Sequence, residues 1–455
     1  MEIAEIVQRQ RAYFATGATK PVGVRIEALK RLRDSITERE TALCAALQAD
    51  LHKAPFESYM SEIGMVRDEL DYAIKRVRAW AKPVRVRTPL AQFPARSRIY
   101  REPYGVALIM APWNYPFLLS VDPLIGALAA GNCAVLKPSA YAPHTSAALA
   151  EMVSACFPPD YVTVVQGGRA ENTALLDQRF DTIFFTGSVA VGKQVMEKAA
   201  RHLTPVTLEL GGKSPCIVDG TVDMALTARR LMFGKVLNAG QTCVAPDYVL
   251  VLRQAQEALV AELQKTVTDF LGPEPAKNAA YPSIINDKHF ARLQAMLAGQ
   301  PVYFGGQLNA PQRKIAPTVL PATADSPCMQ EEIFGPILPV LPVETLDEAI
   351  TFIQQREKPL ALYLFTRDAH VQRRVLEEVS FGGGCINDTI IHLATHAMGF
   401  GGVGASGMGS YHGKRSFDAF SHEKSVVDKG TWMDLPVRYH PYTQKKERLL
   451  RRVLK

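Results

Sequence analysis

Residues 181–203 read "DTIFFTGSVAVGKQVMEKAARHL". An apolar run without polar interruption stops at Thr186, as a strand buried on both faces would. Gly187 and Ser188 make a turn. Gly192 falls in the first turn of a helix with apolar residues at three- and four-residue spacing. The free N–H groups and partial positive charge of such a helix start suit a phosphate, and glycine lets a ligand approach the backbone. The same pattern also serves as a plain strand–helix connection, and spacing alone leaves both readings open.

Similar runs recur on either side: "GVALIM" (105–110), "CAVLK" (133–137), "YVTVV" (161–165) and "PVTLEL" (205–210), most of them separated by helix-like stretches. This βαβ rhythm predicts an α/β chain whose first sheet is parallel and doubly wound around a nucleotide. A second α/β unit starts after 210, with "MALTARRLMFGKVL", "YVLVL", "AQEALVAELQKTVTDFLG", "ILPVLPV", "LDEAITFIQQR" and "LALYLF", and runs into a glycine-rich block at 382–413. Residues 1–82 read as helices closed by Pro83. Residues 84–101 hold five arginines and no acid, and Val84 to Arg87 alternate, which predicts an exposed hairpin arm open to another chain. The last ~40 residues are expected to wrap or dock.

At 455 residues the chain is too long for one core and predicts two or three domains. Apolar residues make up 47% and charged residues 21%, the balance of an ordinary globular protein. The net charge is +7, and 445–455, "KKERLLRRVLK", contributes six cations and one anion to it. The remainder is nearly neutral, which excludes a basic nucleic-acid-binding face. Seven scattered cysteines without a Cys-x-x-Cys pair point to free thiols in a reducing compartment, the cytoplasm. No window reaches the length of an apolar membrane span.

Several residues invite chemistry. Cys243 in "GQTC" is a core thiol, a metal ligand or a nucleophile. Glu209 ends an apolar strand before Gly211 and Gly212, as a salt-bridged or solvated strand end or as a general base. Asn114, held between prolines in "APWNYP", is a candidate oxyanion donor or part of a rigid turn. Lys137 sits at a strand's carboxyl edge, where a ligand crevice or plain solvent awaits it. Gly402, Gly404 and Gly407 match a dinucleotide glycine pattern but lack its strand and helix, so a tight loop is expected. His392 and His396 lack the glutamate and the third ligand of a zinc helix, so no metal is expected.

Taken in order, "PWNYP", "LKPS", "FFTGSVAVG", "LELGGKSP", "GQTC", "EEIFGP" and "FGGVGASGMGSYHGKRSF" resemble the NAD(P)-dependent aldehyde dehydrogenase superfamily over essentially the whole chain. The ending "GMGSYHGKRSFDAFSH" resembles its class 3 branch. The resemblance implies a Rossmann-like cofactor domain (1–83 and 102–209), an α/β catalytic domain (210–420), and an oligomerisation arm with tail (84–101 and 421–455). It implies Cys243 as nucleophile, Asn114 with the Cys243 N–H as oxyanion donors, and Glu209 as the base that activates the hydrolytic water. Trp113, Lys137, Gly187, Ser188, Val189, Gly192, Glu332 and Phe334 become cofactor contacts. Gly240 becomes room for nicotinamide and substrate, and His412 lies in a class 3 segment without an assigned role.

The implied product is a carboxylic acid made from an aromatic or medium- to long-chain aldehyde by a homodimer. Tyr115, Leu118, Thr242, Ile391 and His392 are pocket candidates. One departure bears on the cofactor. The family's usual Lys-Pro-Ser-Glu is here "KPSA", and Ala140 removes a carboxylate that would hold the adenosine ribose and repel a 2′-phosphate, so NADP as well as NAD is expected. Some class 3 relatives end in an apolar anchor, whereas "LLRRVLK" predicts a soluble enzyme. Three other readings compete: a CoA-acylating aldehyde dehydrogenase, which would lack the base at Glu209; a cysteine hydrolase, which would need a histidine partner for Cys243; and a non-catalytic protein on this fold.

Overall fold

The computed structural model describes residues 2–454. Met1 and Lys455, which end the expected divisions and supply one cation of the tail, lie outside them. Two six-stranded sheets organise the chain. The first runs Gly407–Met408, Val206–Leu210, Thr182–Gly187, Val106–Met110, Cys133–Lys137, Val162–Val164, and every neighbouring pair is parallel except the first. Val106–Met110 and Cys133–Lys137 are buried at every position, which is why they read as unbroken apolar runs.

The chain leaves Val106–Met110, moves outward through two strands, then returns to its other side at Thr182–Gly187. The winding direction reverses there, so a crevice opens beyond the carboxyl ends of these two strands. Trp113 and Asn114 follow one strand end, Ser188 and Val189 follow the other, and Glu209 lies at the end of the next strand.

The second sheet is wholly parallel: Thr318–Pro321, Ile337–Val343, Tyr248–Leu252, Pro215–Val218, Ala361–Phe365, Gly383–Ile386. Glu209 leads into its Pro215–Val218 strand, and Cys243 precedes Tyr248–Leu252. The amino ends of this sheet therefore face the carboxyl ends of the first. Gly383–Ile386 carries no strand pattern of its own. A Cβ on Gly384 would strike the Leu362 carbonyl, so glycine there is what lets the edge strand approach.

Helices Ile3–Ala15, Val22–Glu38 and Gly64–Trp80 bury apolar faces in the same core as the first sheet. The apolar spacing over 25–51 continues through a break at Arg39, whose ψ of 8° separates Val22–Glu38 from Glu40–Leu51. Residues Tyr59–Ile63 form a π-turn inside the next helical stretch, an irregularity frequent at functional sites.

Val84–Val86, Ala95–Pro103 and Ser421–Lys429 form a separate three-stranded antiparallel sheet, with Ser421 opposite Pro103 and Lys429 opposite Ala95. Residues 421–429 thus enter the arm as a strand rather than merely wrapping over a surface. Val84, Val86, Val426 and Val427 are exposed. The tail ends in the helix Gln444–Val453.

Candidate active site

Cys243 stands in a turn closed by the Ala245 N–H on the Thr242 carbonyl at 2.9 Å. It is partly exposed and lines an apolar cavity of about 190 Å³. Met65, Leu118, Phe233, Leu237, Ile391 and Tyr411 are among that cavity's walls. Of the five pocket candidates, Tyr115, Leu118, Thr242 and Ile391 line it and His392 does not. Burial pushes the Cys243 thiol up to about 12, with Glu332 and Glu209 adding to the rise. The backbone N–H groups of Cys243 and Val244 oppose it. A reactive thiolate here needs positive potential or a base to arrive with the reactants.

Asn114 is 2% exposed. Its Nδ2 donates to the Gln241 carbonyl at 3.0 Å, two residues ahead of the thiol. The second Nδ2 hydrogen stays free for an oxyanion. Gln241 is fully buried and is itself fixed: Nε2 donates to the Asn238 and Ser283 carbonyls, each at 3.0 Å, and Oε1 accepts from the Ile285 N–H at 3.0 Å. Asn238 and Ala239 both hold left-handed backbone (φ 51° and 52°), and the Asn238 side chain donates 2.7 Å to the Asn114 carbonyl. Strain in non-glycine residues at this place is typical of functional loops.

Gly240, at φ 73°, has a different role from the one expected. A Cβ there would strike the Gly335 carbonyl, so this glycine brings two backbones together.

Glu209 is 3% exposed, and both its oxygens lack a partner. That removes the salt-bridged and solvated readings. Burial raises its carboxyl well above the usual range. A Cβ on Gly401 would come within 3.1 Å of Oε1, which ties the glycine-rich block to this carboxyl. Glu209 does not line the apolar cavity, but its charge reaches Cys243.

Trp113 stacks edge-on to Phe334 at 5.3 Å and lies 5.1 Å from the His289 ring, a residue the motifs did not mark. Phe334 has φ 49°. Its segment is held by the Ile333 N–H on Asp247 (2.9 Å) and by Arg292 on the Ile333 carbonyl (2.5 Å). Burial raises the Glu332 carboxyl to about 8, with Asp247 adding. A Cβ on Gly211 would collide with that carboxyl.

Ser188 caps the helix Val189–Ala200 by accepting from the Val191 N–H at 3.4 Å. A Cβ on Gly192 would come within 2.6 Å of Leu210, so glycine lets this helix lie close on the strand. Lys137 is 3% exposed and donates to the Pro138 (2.8 Å) and Gly167 (2.7 Å) carbonyls, so two of its three protons are already engaged. Ala140 is exposed.

His392 and His396 part ways. Burial pushes His392 down to about 4, whereas His396 is lifted to about 9 by its bonds to Glu69 (2.7 Å) and Asp68 (2.8 Å). Glu69, Asp122 and His412 bring one donor atom each within 4.8 Å of one another. Glu69 already accepts from the Gly413 N–H at 2.9 Å and from His396, and His412 Nδ1 lies 3.1 Å from Asp122. These groups form a buried polar cluster against the cavity wall that His412 lines. Gly402 and Gly404 sit in a loop with a single short helical turn, Gly407 opens the short antiparallel strand Gly407–Met408, and none has a βαβ context.

A sequence model of the aldehyde dehydrogenase family matches residues 1–426. The chain is 48% identical over 96% of its length to 4,4'-diaponeurosporen-aldehyde dehydrogenase of Staphylococcus aureus, covering 95% of that protein. It is 46% identical over 98% of its length to the dimeric NADP-preferring aldehyde dehydrogenase of Canis lupus familiaris, covering 99% of it. Among solved structures, a substrate-bound Staphylococcus aureus AldH superposes with a TM-score of 0.98 at 46% identity, with full coverage of both chains.

Proposed function

The chain belongs to the aldehyde dehydrogenase family, and on that premise we propose that it oxidises apolar aldehydes to carboxylic acids with NAD or NADP, through a covalent intermediate on Cys243. The observation that carries this reading is Cys243 on the wall of an apolar cavity, next to the carbonyl that orients the Asn114 amide. An aliphatic or aromatic aldehyde matches such a lining, and a charged one would lose its hydration there. The staphylococcal relative, a 4,4'-diaponeurosporen-aldehyde dehydrogenase, supports the same direction.

The cysteine attacks the aldehyde carbon, and Asn114 Nδ2 with the Cys243 N–H holds the resulting oxyanion. When bound, the oxidised nicotinamide supplies the hydride acceptor and a positive charge that favours the thiolate. Loss of hydride leaves a thioester on Cys243. Glu209, once deprotonated, takes a proton from the water that cleaves it, releasing the acid and restoring the thiol. The cofactor fits the residues present. Gly187, Ser188, Val189 and Gly192 offer phosphate a capped helix start, Trp113 and Phe334 offer aromatic faces, and Glu332 and Lys137 offer polar ends for ribose.

Residues 1–83 and 102–209 are then the cofactor domain and 210–420 the catalytic domain. The arm (84–101 and 421–455) joins two copies, and its open strand edges and exposed valines support a homodimer. No helix among the described residues is long and apolar enough to cross a membrane. Together with seven free thiols, this supports a cytoplasmic enzyme. The relatives above carry no coenzyme A in their names and Glu209 is in place, so neither supports the acylating alternative. A panel of aldehydes assayed with both cofactors by reduced-nicotinamide absorbance tests the reading. Activity confined to short polar aldehydes, or acyl-CoA as the product, would overturn it.

A further inference from the structure

Lys53 and Glu62 are both wholly buried, with Nζ 2.5 Å from Oε1. Neither belongs to any motif above. A buried pair is weak evidence for stability, because desolvation offsets most of its attraction. Its surroundings point elsewhere.

Glu62 Oε2 accepts from the Phe117 N–H (2.9 Å) and the Leu118 N–H (3.1 Å). These open the helix Leu118–Ala130, whose own cap position, Phe117, has no side-chain acceptor. Lys53 Nζ lies 4.4 Å from the Tyr115 ring centroid and donates to the Asn114 carbonyl at 3.4 Å. That carbonyl also receives Asn238 Nδ2, and the Asn238 N–H donates to Glu57 at 2.7 Å. Segment 53–62 therefore holds both Asn114–Leu118 and Asn238. The π-turn Tyr59–Ile63 carries Glu62.

We propose that the Lys53–Glu62 pair is a positioning device that holds the Asn114 amide where the oxyanion forms. It rests on the reading of Asn114 given above. A displacement of about 1 Å at such a donor is enough to cost up to about 100-fold in rate. Lys53→Met/Glu62→Gln removes both charges together and keeps an acceptor for the two amides, so neither member of the pair is left as an unpaired buried charge.

The test is a double-mutant cycle with Asn114→Ala, read by single-turnover hydride transfer, by cofactor Kd and by thermal unfolding. The expected result is about a tenfold slower transfer in Lys53→Met/Glu62→Gln, with cofactor Kd unchanged. In the Asn114→Ala background the further loss should be under about twofold, because the donor being positioned is gone. Equal losses in both backgrounds, or no loss in either, overturn the proposal. A wild-type rate in Asn114→Ala alone overturns the role of Asn114 and the clamp's action with it. Slow Asn114→Ala with additive effects overturns only the clamp. Should the double variant not fold, Lys53→Arg, which keeps a buried cation but moves it, gives the same two outcomes in the same cycle.

Discussion

Asn114 Nδ2 donates to the Gln241 carbonyl across 127 residues, joining the end of a first-sheet strand to the loop that carries Cys243. Gln241 accepts and donates with every polar atom of its own amide. Gln241→Ala should therefore lower stability by about 1–3 kcal/mol, because it leaves the buried Ile285 N–H and the Ser283 carbonyl unmatched. Asn114→Ala should leave stability nearly unchanged and lower kcat about 100- to 1,000-fold. Thermal unfolding and steady-state kinetics on the two variants separate these effects; the opposite pattern would contradict the assignment.

Cys243, its thiol pushed up to about 12 by burial and two neighbouring carboxyls, should be a poor nucleophile in the enzyme without cofactor. Alkylation of Cys243 by iodoacetamide should rise about tenfold per pH unit from neutral to alkaline pH without levelling off below pH ~10. Peptide mass spectrometry follows the modified thiol. A plateau near neutral pH would mean that a base or cation already activates it. Cys243→Ser should abolish reduced-nicotinamide formation.

Glu209 is buried without a partner and its carboxyl is raised well above the usual range. Its base form therefore grows with pH, and thioester hydrolysis should speed up from neutral to alkaline pH. Glu209→Gln should keep the first-turnover burst of reduced cofactor and slow the steady state by about 100-fold or more, the range of a lost general base. Rapid-quench and stopped-flow traces distinguish the two phases. Equal loss of both would show that Glu209 does not act in deacylation.

Ala140 is exposed where the family usually carries an acid. Ala140→Glu should lower kcat/KM for NADP about tenfold or more while NAD is retained or improved, since a carboxylate near a 2′-phosphate is a like-charge contact. A wild-type enzyme that strongly prefers NAD would sink the idea before the variant is made.

His396 is raised from 6.5 to about 9 by its bonds to Glu69 and Asp68. The folded state binds this proton more tightly, so the stabilisation is complete below pH ~6.5 and is lost as pH rises through ~9. The melting temperature of the wild type should fall over that window, and that of His396→Ala should fall less. Parallel curves would assign the network no such role.

Much of this was legible beforehand for a physical reason. Strands such as Cys133–Lys137 and Tyr248–Leu252 are buried on both faces, so their burial is written as unbroken apolar runs. Cys243, Glu209 and Asn114 were marked by short local motifs. Residues 421–429 gave no such signal, because a strand exposed on both faces needs no apolar pattern. Gly383–Ile386 gave none either, because its glycines record the nearness of another strand.

By itself the amino-acid sequence determined the α/β rhythm, most of the buried strands, and the residue types available for covalent aldehyde chemistry. These follow from contacts between near neighbours and from burial, which leave a periodic trace. Only the tertiary structure decided that Glu209 is unpaired, that Gly240 serves backbone packing, and that Lys53, Glu62, Asn238 and Gln241 converge on Asn114. Those relationships span separations as long as 127 residues. A hydrogen bond at that distance along the chain imposes no local spacing, so it becomes visible only when the fold brings its two ends together.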